Sequence, residues 1–173
     1  MVIRWESLYR LTRSEFSENP DIFAEPALMY GLSDLRSSTQ KRIFPSSASG
    51  ALARHDGRQT SQHFVGPKET PIRKSTACDI FCEGSPIFTF TSILSLHTFK
   101  GIGIYLDTKG PDGLPWVMFH VDIRPNGFND NSPLIWIVEK INGKDFYRYP
   151  QADHKYWDLF NDARFTSNKK FGS

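Results

Sequence analysis

Residues 101–124 read GIGIYLDTKGPDGLPWVMFHVDIR, and this stretch decides the fold. Gly101–Leu106 and Trp116–Ile123 are rich in β-branched and aromatic residues, which suit a pleated, half-buried surface. The turn-rich run Asp107–Pro115 sends the chain back between them, so the two segments are expected to pair as a hairpin. In the second segment His120 and Asp122 alternate with Phe119, Val121 and Ile123. Side chains alternate across a strand, so one face is apolar and the other carries two titratable groups. Buried groups of that kind need partners, which a metal ion and an arginine would supply.

Working outward, Leu134–Glu139 and Lys144–Tyr149 flank Asn142-Gly143, the strongest short hairpin signal in the chain. His154–Phe165 reads as a closing helix, with Tyr156, Trp157, Leu159 and Phe160 apolar. On the other side, Thr76–Phe81 is a short strand, and Pro86–His97 fits either a helix or an extended segment. Lys41–Ser46 is a further short strand that runs into the turn Ser46–Gly50. Residues 50–75 are polar and punctuated by Gly and Pro, so they read as an ordered loop region. Residues 1–40 read mostly as helix. Trp5, Leu8, Tyr9 and Leu11 fall at helical spacing, Asn19-Pro20 interrupts, and Pro26 opens a second helix with Leu28, Met29, Leu32 and Leu35 on one stripe. Helices first and strands later imply an α+β fold with a mainly antiparallel sheet. It forms a single domain over 1–173, with N-terminal helices in 1–40, a core in 41–125, and a hairpin and helix in 126–173.

A chain of 173 residues can bury roughly 70% of its unfolded surface, so it needs no staple to fold. Twenty-one basic against 19 acidic side chains leave a charge of +2, too balanced for a nucleic-acid footprint. No apolar run reaches membrane-spanning length. Charges interrupt the first residues, so no secretory signal is expected and the chain would be made in the cytoplasm. Cys78 and Cys82 lack the second pair a zinc knuckle needs. On a strand their even offset puts them on one face, as buried thiols or as a disulfide. The many aromatics are expected in the core, though Trp116, Trp136 and Trp157, if exposed, would suit a binding module.

Three motifs stand out: Ser61-Gln-His-Phe-Val-Gly66, Ala77-Cys-Asp-Ile80 and Phe119-His-Val-Asp-Ile-Arg124. In that order they resemble the zinc D-Ala-D-Ala carboxypeptidase family, peptidoglycan metallopeptidases that share a fold with lysostaphin-type and hedgehog domains. The likeness is to the branch with a His-Val-Asp-x-Arg second motif. Ser46–Gly50 resembles the family's Ser-Gly turn, and Gly101–Tyr105 its Gly-x-Gly-x-Tyr strand. The likeness covers roughly residues 40–125.

The resemblance implies an antiparallel sheet flooring a zinc cleft, with Zn2+ held by His63, Asp79 and His120. Two imidazoles and one carboxylate would leave a fourth tetrahedral position for water. The implied activity is hydrolysis of peptide bonds in peptidoglycan stem peptides, as a D,D- or L,D-carboxypeptidase or endopeptidase, at the cell wall or periplasm after release or from a virion. Asp122 is the candidate general base or else a ligand-orienting group, with Asp107, Asp112 and Glu83 as alternatives. Arg124 or Arg54 would pair with a substrate carboxylate, unless Arg124 is spent on Asp122. His55 and His97 are candidates for stabilising transition-state charge.

The sequence departs from the family pattern twice. Asp79 follows His63 by sixteen positions, farther than in the family motif, which reads as an insertion over Pro67–Ser75. Loop-closure entropy grows only with the logarithm of length, so the two ligands can still meet if the loop leaves and returns at one point. Val117 stands where many members carry an acidic base, three positions before the second His. That substitution supports a second expectation, a non-catalytic phage tail or baseplate protein that keeps the fold and touches other virion proteins.

Overall fold

The computed structural model describes residues 2–127, 132–150 and 156–166. Helices α1 (Pro20–Phe23) and α2 (Pro26–Thr39) precede strands β1 (Ile43–Pro45) and β2 (Ala77–Cys82). Helix α3 (Pro86–Leu96) follows, then β3 (Gly101–Lys109), β4 (Pro115–Asp122), β5 (Leu134–Ile141) and β6 (Lys144–Arg148). Two short helices, α4 (Tyr156–Phe160) and α5 (Ala163–Thr166), close the described chain. The fold is α+β, as expected.

The strands form one sheet in the order β1-β2-β4-β3-β5-β6. Every neighbouring pair is antiparallel except β3 and β5, which run parallel. The expected hairpin of β3 and β4 is present, with a bulge between Tyr105 and Thr108. So is the hairpin of β5 and β6, whose turn residues Asn142 (φ 53°) and Gly143 (φ 76°) both adopt the left-handed backbone that Asn-Gly tolerates.

The two faces of the sheet differ in chemistry. On one, Cys78, Ile80, Ile102, Ile104, Val117, Phe119, Val121, Ile135 and Ile137 join the main core. Leu28 and Leu32 of α2, Phe90 and Ile93 of α3 and Phe165 of α5 pack into the same core. Cys78 and Cys82 are both buried free thiols, and burial pushes the Cys82 thiol up to about 11. The other face carries Asp79, His120 and Asp122.

Helix α3 resolves the open choice at Pro86–His97. Pro86 occupies the first turn, where its missing N–H costs nothing, and the Ser85 side chain accepts from Phe88 N. His97 ends the helix in the left-handed conformation (φ 55°). Residues 2–19 depart from expectation. They contain two 3-10 turns, Trp5–Ser7 and Arg13–Glu15, in place of a helix through Trp5, Leu8, Tyr9 and Leu11. Tertiary partners override the periodicity. Tyr9 N donates to Ser33 Oγ (2.7 Å), Trp5 Nε1 donates to Asp21 Oδ1 (2.8 Å), and the Arg36 guanidinium of α2 binds Glu15 and the Arg10 carbonyl. The segment is stapled flat against α2, and Leu8 and Leu11 still reach the core. His154 lies outside the described residues, as does the side chain of Trp157. Among the described residues no helix is long and apolar enough to cross a membrane.

Candidate metal centre

Sheet register builds the site. Asp79 of β2 lies opposite His120 of β4, His120 lies opposite Gly103 of β3, and Gly103 lies opposite Trp136 of β5. These four residues form one row across the cleft face. The neighbouring row runs Ala77, Asp122, Gly101 and Leu134. The two glycines are required by what lies over them. A Cβ at Gly101 would come within 2.2 Å of Asp122 Oδ2, and one at Gly103 within 2.7 Å of the Trp136 indole. Gly101 therefore opens room for a buried carboxylate, and Gly103 lets Trp136 lie across its strand towards His120, at 5.1 Å between ring centroids.

His63 arrives from a loop, and backbone hydrogen bonds hold it there. Arg54 N donates to the His63 carbonyl (2.7 Å), Val65 N to the Arg54 carbonyl (2.9 Å) and Thr76 N to the Gln62 carbonyl (3.0 Å). The extra segment 67–75 leaves and returns at one place, since Ile72 N donates to the Val65 carbonyl at 2.9 Å. Gly66 turns there with φ 89°. Arg73, inside this segment, donates to the carbonyls of Phe64 (2.6 Å), Gln59 (2.8 Å) and Ser61 (2.5 Å). One guanidinium thus ties down the loop on both sides of His63. The sequence reading missed this role, and an arginine in a polar loop gives no pattern by which to find it.

The three expected ligands converge. His63 Nε2 lies 2.9 Å from His120 Nδ1 and 3.3 Å from Asp79 Oδ1, and His120 Nδ1 lies 3.0 Å from Asp79 Oδ1. A tetrahedral zinc with ligand bonds of about 2.0–2.1 Å sets its donors about 3.3 Å apart, so the triangle has nearly the required size. All three residues are buried. Among the described residues they are the group of three such side chains able to hold a metal ion. The donor set, two imidazoles and a carboxylate, suits zinc.

Behind the triangle, His120 Nε2 lies 3.0 Å from Asp122 Oδ2. Asp122 is wholly buried, and Arg124 donates to it from Nε (2.7 Å), Nη2 (2.5 Å) and its backbone N (3.1 Å). The Arg124 guanidinium also lies 5.5 Å from the centre of the Trp136 ring. This is the carboxylate-histidine arrangement that fixes ring orientation behind a metal. Both Asp122 oxygens are thus taken up, by His120 and by Arg124, which is its counter-ion. His63 has no such support among the described residues, where its buried Nδ1 finds no hydrogen-bond partner.

Charge within the triangle is balanced by its own members and their neighbours. Burial alone would favour neutral forms, but hydrogen bonds with His120 and His63 hold the Asp79 carboxyl well below the usual range. Burial likewise opposes the charge on His120, yet its bonds to Asp122 and Asp79 push it up to about 9. Asp122 is lowered to about 2, because the bonds from Arg124 and His120 outweigh its burial. The raised His120 pKa thus favours a positive charge beside the two carboxylates.

Of the other acidic and histidine candidates, Asp107 alone among the described residues lines a hollow beside the triangle. His55 Nδ1 sits 2.9 Å from the Gly66 carbonyl, with its ring against Phe23, and His97 is an exposed helix cap. Neither lines the cleft beside the triangle. Asp112 accepts from Trp116 Nε1 (2.9 Å), Asp107 pairs with Arg164 (3.0 Å), and Glu83 lines a separate hollow beside Phe44. Val117 is buried in the core, on the opposite face of β4 from His120. Trp116 and Trp136 are both buried, which removes them as exposed binding aromatics.

Two side chains beside the triangle do face the cleft. Arg54 keeps a half-exposed guanidinium 3.8 Å from Asp79 Oδ2. Tyr105 lines the cleft, and burial together with the Asp79 charge keeps its hydroxyl protonated far above neutrality. No protein-family model matches the chain, and neither a curated protein nor a solved structure matches it.

Proposed function

We propose that the protein is a zinc-dependent peptidase that hydrolyses peptide bonds in peptidoglycan stem peptides. The observation that carries this reading is the convergence of His63 Nε2, Asp79 Oδ1 and His120 Nδ1 at the floor of an open cleft. Zinc bound there would supply a Lewis acid for the scissile carbonyl and bring a water's pKa near 7.

The chain's own residues divide the remaining work. Asp122 fixes the His120 ring through Nε2 and leaves Nδ1 for the metal. Arg124 neutralises Asp122 and so keeps a buried carboxylate affordable. Arg54 and Tyr105, beside Asp79, are the donors placed to meet negative charge developing on a carbonyl oxygen. The protein would act at the wall or in the periplasm, after release or from a virion.

A second reading is a virion structural protein that keeps the fold without catalysis. Two observations favour it: Val117 is turned into the core, and Asp122 is sealed away from water, so neither serves as a base. Incubation of purified protein with muropeptides, with and without a chelator, separates the readings. The peptidase reading expects chelator-sensitive cleavage that His120→Ala abolishes. No cleavage of any D,D or L,D substrate by zinc-loaded protein supports the structural reading.

A further inference from the structure

The donor triangle lies between two hollows rather than at the end of one. His63 and His120 line a hollow of about 410 Å³, with Trp136, Tyr147 and Tyr149 along its wall. Asp79 lines a second hollow of about 630 Å³, walled by the Ser46–Ser49 turn, Lys109 and Asp145. Arg54 and Tyr105 line both, and so mark the crossing. Each volume falls in the range of about 300–1,000 Å³ that accommodates a drug-sized ligand, far more than one terminal amino acid needs.

We infer that a peptide chain runs through both hollows and that the enzyme cuts an interior bond instead of removing a residue from a free carboxyl end. This inference rests on the peptidase reading. Selection for a chain terminus requires a cationic fork that closes one side of the scissile position. Among the described residues no such fork closes either side, and the second hollow offers the exposed single ammonium groups of Lys109 and Lys140 instead. Arg124 is committed to Asp122, Arg58 is exposed on the wall, and Arg54 stands at the crossing beside Asp79. Arg54 thus faces the scissile carbonyl rather than a carboxylate one residue away.

The two hollows also differ in charge. The first, with Arg54 and Arg58 on its wall and no acidic lining among the described residues, suits the carboxylate-bearing part of the peptide. The other combines Lys109 and Lys140 with Asp107 and Asp145, and suits a part that carries both a carboxylate and a free amine. The reaction is an ordinary hydrolysis. The oxygen of water bonds to the carbonyl carbon, the C–N bond breaks, and the two protons of water leave on the new amine and the new carboxyl group.

The test uses zinc-loaded protein and two synthetic stem peptides of one sequence that extends beyond the cut bond on both sides. One peptide ends in a free acid and the other in an amide. Mass spectrometry should find the same interior bond cut in both, at rates within about threefold. Binding to metal-free protein should weaken about tenfold in Tyr149→Ala and in Lys109→Ala alike, because both hollows are occupied. Cleavage of the free acid alone, by loss of its last residue, overturns the inference and leaves the peptidase reading intact. Cleavage of neither peptide overturns the peptidase reading and this inference together. Binding that is sensitive to only one of the two substitutions also overturns the two-sided path.

Discussion

Strand β4 has two faces that do different work. Val117, Phe119 and Val121 point into the core, while His120 and Asp122 point at the cleft, and only the period-two alternation of a strand separates them. The first face is sustained by non-directional apolar burial. The second is sustained by directed contacts in a sealed place, where every polar atom needs a partner. Substitutions on one face should therefore act on stability, and those on the other on metal affinity.

The largest expected effect is on the core face. Phe119→Ala removes a ring that is 1% exposed and should cost about 3–5 kcal/mol in urea unfolding, while the fraction that stays folded still binds zinc. Comparable loss of stability in His120→Ala above about pH 9, where the charge on His120 is gone, would erase the contrast. On the cleft face, Asp122→Asn keeps the shape and removes the charge behind His120. It should weaken zinc binding by about 10–100-fold in a competition titration, the usual consequence of losing an orienting carboxylate. Gly101→Ala should act in the same direction, because the new methyl group displaces Asp122.

Acidity sharpens the contrast further. Metal must displace the proton that holds His120 at about 9, so zinc affinity should rise with pH up to about 9 and level off above it. The folded-state pKa of His120 lies above its ordinary value of 6.5. In chelated protein its contribution to stability is thus complete below about 6.5 and is lost as pH rises through about 9. Thermal unfolding should therefore show the chelated and zinc-loaded forms diverging as pH increases, and parallel curves would contradict the assignment. The smallest effect belongs to the loop. Arg73→Ala frees three carbonyls around His63 and should lower zinc affinity by only a few-fold, about 1 kcal/mol, with global stability nearly unchanged.

Where a residue's neighbours in sequence are also its neighbours in space, the fold was legible. The alternation in β4, the Asn142-Gly143 turn and the stripe of α2 all report local geometry. The N-terminal segment was misread because Arg36 and Ser33, far along the chain, decide its path. The parallel pairing of β3 with β5 was hidden for the same reason. At the site, motif resemblance picked out the three side chains that converge, and alternation already set His120 and Asp122 on one face. Their division of labour was not visible. Only the register of four strands shows that Gly101 makes room for Asp122, that Gly103 admits Trp136, and that Asp122 is sealed by Arg124. Arg73 was likewise invisible, since its partners are carbonyl groups, which a sequence does not distinguish.

The account depends most on a cation at the triangle. Crystals grown with zinc and measured on both sides of its absorption edge would test it directly. The prediction is a single anomalous peak about 2.0–2.2 Å from His63 Nε2, Asp79 Oδ1 and His120 Nδ1. A map without a peak there, or with zinc held only by other residues, would contradict it.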